Sequence, residues 1–284
     1  MTLYPTSDMV RAAAKAGRGV GAFNVIQIEH AEAMVAGAAA ADAPVVLQIS
    51  ENAVKYHGSL APIGLASIAV ARQAALPVAV HLDHAESVDL CREAVELGFT
   101  SVMFDASKLS YEDNVAETAR VVEFCHAAGV GVEAELGEIG GKDGVHAPGV
   151  RTKPEDAVAF VAATGVDALA VAVGTSHAML TRDATLDYPL ISELRDAIGV
   201  PLVLHGSSGV SDADLTRAVE AGMTKVNIAT HLNHAFTDAV RAFLTDNPEV
   251  VDTRKYLGAG RTAVQAEVTR LLGVLLADGT ASAL

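Results

Sequence analysis

Three histidines lie at or just after the ends of short β-rich runs of the sequence: His84, His177 and His205. A single histidine in such a position is most often a hydrogen-bonded structural residue, but three on separate strand ends can converge on one ion. Catalytic zinc typically takes three protein ligands and leaves one position open for water or substrate. The three histidines therefore predict an open divalent metal site, with zinc as the expected ion.

Carboxylates extend this predicted site. Asp83 precedes His84, which places it beside a metal-bound substrate as a candidate general base; a carboxylate that only orients a ligand is the alternative. Glu135 is predicted either as a further, labile metal ligand or as a partner of a ligand histidine. Glu133 shares the strand parity of Glu135, so it is expected to point inward and orient a histidine.

A glycine-rich segment follows the run that contains Glu135. Residues 137–153 contain five glycines and are longer than an ordinary connection between a strand and a helix. This composition is typical of a mobile lid over an active site, and an ordinary surface loop is the alternative. Asp143 is the carboxylate of this segment that is best placed to swing in.

Two further segments have the features of a phosphate site. Residues 205–209 (HGSSG) present small residues whose backbone N–H groups can cradle an anion beside the metal. Residues 227–230 precede a helix, whose N-terminus favours negative charge. Phosphate sites after the seventh and eighth strands are common in β/α barrels, so both segments indicate a phosphorylated ligand.

The strands that precede these residues must position them. β-rich runs recur eight times and alternate with helical patterns, which favours a closed (β/α)8 TIM barrel, an α/β fold, over an open sheet. Pro154 and Ser211 fall near helix starts, and residues 252–277 are predicted to form a C-terminal helical extension. The predicted helices include 28–40, 90–97, 114–128, 154–164 and 212–221. The predicted strands are 20–25, 44–50, 77–83, 101–106, 131–137, 168–174, 201–206 and 225–230.

Every predicted strand ends on or next to polar residues. In a barrel of this type the active site is assembled at the C-terminal ends of the strands. Residues 1–284 are therefore predicted to be one domain with its site at one mouth of the barrel. The residues at these ends are Asn24, Ser50, Asp83, His84, Asp105, Glu135, His177, His205 and Asn227.

Composition and charge exclude several classes of function. Hydrophobic residues make up 51% of the chain and aromatic residues only 4%, which suits buried parallel strands covered by Ala-rich helices. A net charge of −15 argues against nucleic-acid binding. The chain shows neither a signal-peptide pattern nor an apolar run of membrane-spanning length, and Cys91 and Cys125 fit small buried residues in a reducing compartment. We therefore predict a cytoplasmic protein without a membrane partner.

Seven motifs occur in order along the chain: GAFNV (21–25), HLDH (81–84), EAELG (133–137), VGTSH (173–177), VLHGSS (203–208), KVNIAT (225–230) and DTRKYL (252–257). With these motifs the chain resembles the class II fructose-bisphosphate and tagatose-bisphosphate aldolases over nearly its whole length. The resemblance implies a zinc enzyme that reversibly cleaves a ketose 1,6-bisphosphate into dihydroxyacetone phosphate and glyceraldehyde 3-phosphate.

The resemblance also implies roles for residues. Asp83 would be the acid/base at the C4 hydroxyl, Asn227 would help to hold the enediolate, and Asp143 would manage the proton on carbon. Asp105 would either support a ligand or hold a second or monovalent cation. The zinc ligands would be His84, His177 and His205, with Glu135 a ligand in some states.

Substrate binding follows from the same resemblance. Arg254 matches an arginine that reaches the distal phosphate from a neighbouring subunit, which implies a homodimer or homotetramer. Gly206, Ser208, Asn227 and Thr230 would hold the dihydroxyacetone phosphate half. The full set of expected substrate contacts is Asn24, Ser50, Ala178, Gly206, Ser207, Ser208, Asn227, Ala229, Thr230 and Arg254.

Three positions depart from the pattern of the family. Asp143 stands where a glutamate is usual, Ala178 stands where a glycine usually follows the second histidine ligand, and Ala229 occupies a position that is often acidic in fructose-specific members. These differences leave the hexose open. An aldolase for another ketose phosphate, such as a deoxy-keto-sugar acid phosphate, and a non-catalytic subunit are the alternatives.

Two other barrel chemistries fit the sequence less well. A Schiff-base aldolase needs a lysine at the barrel mouth, whereas the only lysine within a predicted strand, Lys225, is placed at the start of its strand and far from the mouth. A barrel metal-hydrolase often carries a His-x-His pair on its first strand, and the first strand here ends in AFNV.

Overall fold

The computed structural model of the protein describes residues 3–136, 151–175 and 185–276. Eight parallel strands pair in chain order and close on themselves through pairing of the last strand with the first, which confirms the predicted (β/α)8 barrel. The strands are β1 (Val20–Asn24), β2 (Val45–Ser50), β3 (Val78–Ala85), β4 (Ser101–Phe104), β5 (Gly131–Glu135), β6 (Ala168–Ala170), β7 (Leu202–Leu204) and β8 (Met223–Ile228).

Helices cover the outside of the barrel, and several begin at a serine or aspartate whose side chain accepts a backbone N–H, as helix starts favour. Ser211 is such a cap, and Pro154 is the first residue of its helix, as predicted. Within the described residues the helices are α1 (Thr6–Ala16), α2 (Ile28–Ala41), α3 (Glu51–His57), α4 (Ala61–Gln73), α5 (Val88–Leu97), α6 (Tyr111–Ala127), α7 (Pro154–Thr164), α8 (Tyr188–Ala197), α9 (Asp212–Ala221), α10 (Thr230–Asp246) and α11 (Thr253–Leu275).

The predicted elements differ from these mainly at their ends. The five predicted helices and the C-terminal extension, now α11, are confirmed, whereas α1, α3, α4 and α8 were not predicted. The predicted strands 168–174 and 201–206 extend beyond β6 and β7, because regular strand pairing ends at Ala170 and Leu204, before the apolar run 171–173 and before His205. The predicted start of the eighth strand is wrong: β8 begins at Met223, so Lys225 is its third residue.

The interior of the barrel is layered. At the N-terminal end, α1 closes the barrel with Met9 and Ala13; we call this apolar cluster the floor. Above the floor lie three buried ionisable side chains, His81, Glu133 and Lys225, which we call the polar layer. The mouth lies above the polar layer, at the C-terminal strand ends. The floor consists of Met9, Ala13, Val20, Ala22, Val46 and Ala79.

The remaining predictions about the fold concern the cysteines and the membrane. Cys91 on α5 and Cys125 on α6 are buried free thiols, and burial raises the pKa of both, so they serve packing as expected. Across the described ranges, none of the helices combines the length and apolar character that a bilayer crossing requires. The assignment of residues 1–284 to one domain stays a prediction.

Candidate metal centre and active site

An irregularity at the end of β3 places two adjacent side chains at the mouth. Leu82 pairs with Val102 and Ala85 with Phe104, so β3 carries one residue more than β4 over this stretch. His84 takes up the extra residue with a φ of 51°, a left-handed conformation that costs about 1–3 kcal/mol for a residue other than glycine. Adjacent strand residues normally point to opposite faces, and this bulge lets both Asp83 and His84 line the mouth.

Asp105, just beyond β4, orients the His84 ring. Its Oδ2 lies 2.9 Å from His84 Nδ1, and a carboxylate can only accept, so Nδ1 carries the proton and Nε2 presents its lone pair. The other oxygen of Asp105 accepts from the backbone N–H and the hydroxyl of Ser107, at 3.2 and 2.6 Å. Burial alone would raise the pKa of Asp105, but these hydrogen bonds and the charge of His84 hold it below its usual range.

His205, just after β7, is oriented in the opposite sense. Its Nε2 donates to Glu133 Oε1 at 2.9 Å, so its Nδ1 presents a lone pair, and this atom lies 2.9 Å from His84 Nε2. Two lone pairs at this distance repel each other unless a cation, either a proton or a metal ion, lies between them. The sequence prediction that Glu133 orients a ligand histidine agrees with this contact.

The surrounding charges favour such a cation. Burial by itself would lower the pKa of His84, but the carboxylates of Asp83, Asp105 and Glu135 raise it to about 9. Ligand atoms of Asp83, His84 and His205 lie within 4.8 Å of one another, and so do those of His84, Asp105 and Glu135. Imidazole nitrogens combined with carboxylate oxygens are a donor set that suits zinc. The residues present therefore fit a divalent metal ion.

His177, the third predicted ligand, lies outside the described residues, but the chain just before it can be followed. The Thr175 hydroxyl donates to the backbone carbonyl of His205 at 2.6 Å, so the segment after β6 is anchored to the segment after β7. Asp143 and Ala178 also lie outside the described residues.

Asp83 is held by amides of two strands, β1 and β8, and an amide of β2 supports one of them. Asn24 Nδ2 donates to its Oδ2 at 3.0 Å, and Asn227 Nδ2 donates to its Oδ1 at 3.3 Å. Gln48 Nε2 in turn donates to Asn24 Oδ1 at 2.7 Å. Because both of its oxygens accept a hydrogen bond, the orientation of the Asp83 carboxylate is fixed.

The chain after β7 forms a turn of small residues beside His205. Gly206 has a φ of 67°, which a side chain would strain, and Ser207–Gly209 form one 3-10 turn. The Ser207 hydroxyl donates to the carbonyl of Asn227, so it joins this turn to β8 while the residue itself still lines the mouth. The mouth cavity is lined by Asn24, Gln48, Ser50, Asn52, Asp83, His84, His205, Gly206, Ser207, Ser208, Asn227, Ala229 and Thr230.

The two remaining predicted site residues are placed differently. Glu135 is buried at the end of β5, close to His84 and Asp105, and its role as a ligand stays a prediction. The Arg254 side chain is 89% exposed at the start of α11, where it makes a bidentate ion pair with Asp252. Arg254 is not among the described residues that line the mouth cavity, and its role in a neighbouring subunit stays a prediction.

Sequence reasoning missed two cavity residues, Gln48 and Asn52. Gln48 had a usable signal, because it is a polar residue in the otherwise apolar run 44–49 and shares the strand parity of Ser50. The sequence placed Lys225 far from the mouth and gave no sign that its ammonium donates to Glu133, the residue that contacts His205. Lys225 is not among the described residues that line the mouth cavity.

Comparison with known proteins assigns this site to a family. The profile of the family described as fructose-bisphosphate aldolase class-II matches residues 4–280. A fructose-bisphosphate aldolase of Geobacillus stearothermophilus is 39% identical over 272 residues, which are 94% of this chain and 95% of that protein. The crystal structure of the YdjI aldolase from Escherichia coli K12 has a TM-score of 0.88 at 31% identity and covers 99% of this chain and 100% of its own. The chain belongs to the class II fructose-bisphosphate aldolase family, and its reaction class is therefore that of a carbon–carbon lyase.

Proposed function

We propose that the protein is a zinc-dependent aldolase that reversibly cleaves a ketose 1,6-bisphosphate into dihydroxyacetone phosphate and glyceraldehyde 3-phosphate. The observation that carries the proposal is the pair of facing nitrogens of His84 and His205, 2.9 Å apart, beside the oriented carboxylate of Asp83. A cation site next to a general base is what cleavage of a bond beside a carbonyl needs.

The metal would be held by His84 and His205, with His177 as the expected third ligand and Glu135 as a further one. Asp105 and Glu133 set the proton positions of the two described histidines, so each ring presents a lone pair to the ion. When bound, the ion supplies a Lewis acid that polarises the ketose carbonyl. A second or monovalent cation near Asp105 remains an expectation from the family.

Asp83 would act on the C4 hydroxyl of the substrate. In cleavage the hydroxyl proton moves to Asp83, the C4–O bond becomes a carbonyl, and the electrons of the C3–C4 bond pass to C3. Asn24 and Asn227 keep the carboxylate aimed at the cavity during this transfer. A proton must then reach C3, and Asp143 on the glycine-rich segment is the proposed donor.

Phosphate binding in a chain of net charge −15 requires local donors. The turn at Gly206 and Ser208 and the N-terminus of α10 at Thr230 both border the mouth cavity, so backbone N–H groups from two elements are available to one phosphate. This would be the phosphate of the dihydroxyacetone half. We propose that Arg254 serves the other phosphate in a neighbouring subunit of a homodimer or homotetramer.

Ala229 bears on which hexose the protein cleaves. Ala229 lines the mouth cavity at the position that is often acidic in fructose-specific relatives, so a tagatose-type bisphosphate or another ketose phosphate is the second candidate. A non-catalytic role is disfavoured by the oriented Asp83 and the two histidines. The cytoplasmic location stays a prediction.

Metal removal tests the reaction class. We expect prolonged chelation to abolish cleavage of fructose and tagatose 1,6-bisphosphate, and zinc or cobalt to restore it, because the carbonyl then regains its electrophilic partner. Cleavage would be followed by coupled detection of dihydroxyacetone phosphate, with circular dichroism as the control for folding. Activity that persists after complete, analytically verified metal removal would refute the class II assignment. The ratio of kcat/KM for the two sugars then identifies the hexose.

A further inference from the structure

The polar layer is unusual because it buries three ionisable groups in the centre of the barrel. His81 on β3, Glu133 on β5 and Lys225 on β8 are 1%, 3% and 1% exposed. A buried ion pair is weak evidence for stability, since the desolvation of both charges can exceed their attraction and apolar side chains of similar size often serve as well. Stability alone therefore does not account for the polar layer, and its contacts indicate another role.

Glu133 connects the layer to the metal centre. Its Oε2 accepts from Lys225 Nζ at 2.7 Å, and its Oε1 accepts from His205 Nε2 at 2.9 Å. One carboxylate oxygen is thus held by the lysine and the other holds the histidine. With both oxygens engaged on opposite sides, the carboxylate cannot rotate without breaking a charge-assisted hydrogen bond.

The other contacts of Lys225 fix the direction in which protons are donated. Its Nζ also donates to His81 Nε2 at 3.3 Å, and His81 Nδ1 donates to Ser101 Oγ at 2.7 Å. Ser101 then donates to the Thr6 hydroxyl at 2.8 Å. Burial, and then the charge of Lys225, lower the pKa of His81 well below its usual range, so His81 is neutral and can accept from the lysine.

We propose that Lys225 is a positioning residue for the metal centre: it holds Glu133 in the orientation that keeps the proton of His205 on Nε2 and turns Nδ1 toward the mouth. This inference rests on the proposed metal site at His84 and His205. Lys225 does not touch the substrate and acts only through Glu133. Removal of a group that hydrogen-bonds a metal ligand, as Glu133 does in the proposed site, typically changes metal affinity about 10–100-fold, and releasing Glu133 by loss of Lys225 should have an effect up to this size.

The test is metal binding by Lys225→Met, which keeps the chain length and removes the ammonium. We expect cobalt and zinc to bind about 10–100-fold more weakly in competition titrations against a chelating dye, and the visible spectrum of the bound cobalt to change, because His205 loses its fixed orientation. The matched control is Thr6→Val, which removes a buried hydroxyl at the far end of the same chain of hydrogen bonds. Its cobalt affinity should stay within about twofold of wild type.

Lys225→Met leaves the buried charge of Glu133 without its lysine partner, and this variant can fail to fold. Two more variants test the proposal in that case. Glu133→Gln and the double variant Lys225→Met/Glu133→Gln remove that charge, and their cobalt affinities should agree within about twofold, because among the described contacts Lys225 reaches His205 through Glu133. A double variant that binds at least tenfold more weakly than Glu133→Gln would overturn the proposal.

The outcomes also separate this inference from the proposed function. Wild-type protein that fails to bind cobalt would remove the metal site and the role of Lys225 with it. Wild-type protein that binds cobalt, together with a folded Lys225→Met variant of unchanged affinity and unchanged spectrum, would overturn the role of Lys225 alone and leave a lysine that serves stability only.

Discussion

The two ends of the barrel are built from the same eight strands but from different chemistry. The floor is apolar and is closed by Met9 and Ala13 of α1, which pack on small aliphatic strand residues. The mouth is lined mostly by amides, hydroxyls, imidazoles and a carboxylate. Among the described strand residues, His84 at the mouth is the only one other than glycine with a left-handed backbone conformation. The floor lowers the free energy of the fold, whereas the mouth keeps polar groups desolvated and one residue strained.

This difference shows where the fold and the reaction depend on separate residues. Apolar burial stabilises in proportion to the area removed from water and does not depend on a partner of exact geometry. Polar groups at the mouth are useful only when each donor and acceptor is in place. The polar layer of His81, Glu133 and Lys225 lies between the two ends. Its groups, like those of the mouth, depend on each donor and acceptor being in place.

The largest expected effect is at the mouth. Replacing Asp83 by Asn keeps the shape of the side chain but removes the base, so we expect kcat for cleavage to fall about 10²–10⁴-fold. The free energy of unfolding should fall by only about 1 kcal/mol, since the NH2 group of Asn faces an amide donor and one hydrogen bond is lost. Steady-state kinetics of the zinc-loaded protein and urea unfolding measure the two quantities. A variant that retains kcat within threefold of wild type would remove Asp83 from the proposed chemistry.

The matching change at the floor should do the reverse. Met9→Ala leaves a cavity in a fully buried cluster, so the free energy of unfolding should fall by about 2–5 kcal/mol. Below the melting transition, kcat/KM should stay within about twofold of wild type, because the mouth is built from other side chains. Urea unfolding and kinetics at a temperature at which both proteins are folded check this. A tenfold loss of kcat/KM in fully folded Met9→Ala would contradict the separation of the two ends.

The smallest expected effect concerns a residue near the mouth that should affect stability alone. His30 at the start of α2 is buried, its Nδ1 accepts from the Ile26 N–H, and burial lowers its pKa from 6.5 to about 4. Between these pH values the unfolded chain binds a proton that the folded chain does not. Stability is therefore complete above pH 6.5 and decreases as the pH falls toward 4, by about 1.4 kcal/mol per pH unit.

His30→Gln removes this linkage. Between pH 7.5 and 5.0 the metal-free wild type should lose about 2 kcal/mol more unfolding free energy than the metal-free variant, as measured by urea titration. Chelator is present in both series, so that pH-dependent metal binding does not contribute, and the titration of all other groups is common to the two proteins. Parallel pH dependence of the two proteins would show that His30 accepts its proton in the folded state without penalty.

The sequence predicted the barrel and the composition of its mouth because both follow from local patterns. Eight alternations of β-rich and helical runs leave few architectures, and the C-terminal ends of parallel strands must meet at one edge. Asn24, Ser50, Asp83, His84, His205 and Asn227, predicted from their positions at strand ends, line one cavity. The ends of the strands were less accurate, because hydrogen-bonded pairing stops before the hydrophobic pattern does.

The contacts between strands were beyond the sequence. The bulge that brings Asp83 and His84 to one side depends on the register of β3 against β4, which the residue types in these strands do not indicate. The sequence indicates only that Lys225 lies near the start of a strand. The structure shows that its ammonium donates to Glu133, 92 residues away. Gln48 carried a signal in its parity, but only the structure shows that it holds Asn24.

The sequence by itself determined the fold, the family and the residue types at the mouth, because hydrophobic periodicity and ordered motifs are properties of neighbouring residues. Only the tertiary structure decided the proton positions of His84 and His205, since each is set by a carboxylate from another strand. The direction of each hydrogen bond depends on which ring nitrogen meets the carboxylate, and that carboxylate lies far away in the chain. The proposed role of Lys225 likewise rests on contacts between strands that only the closed barrel brings together.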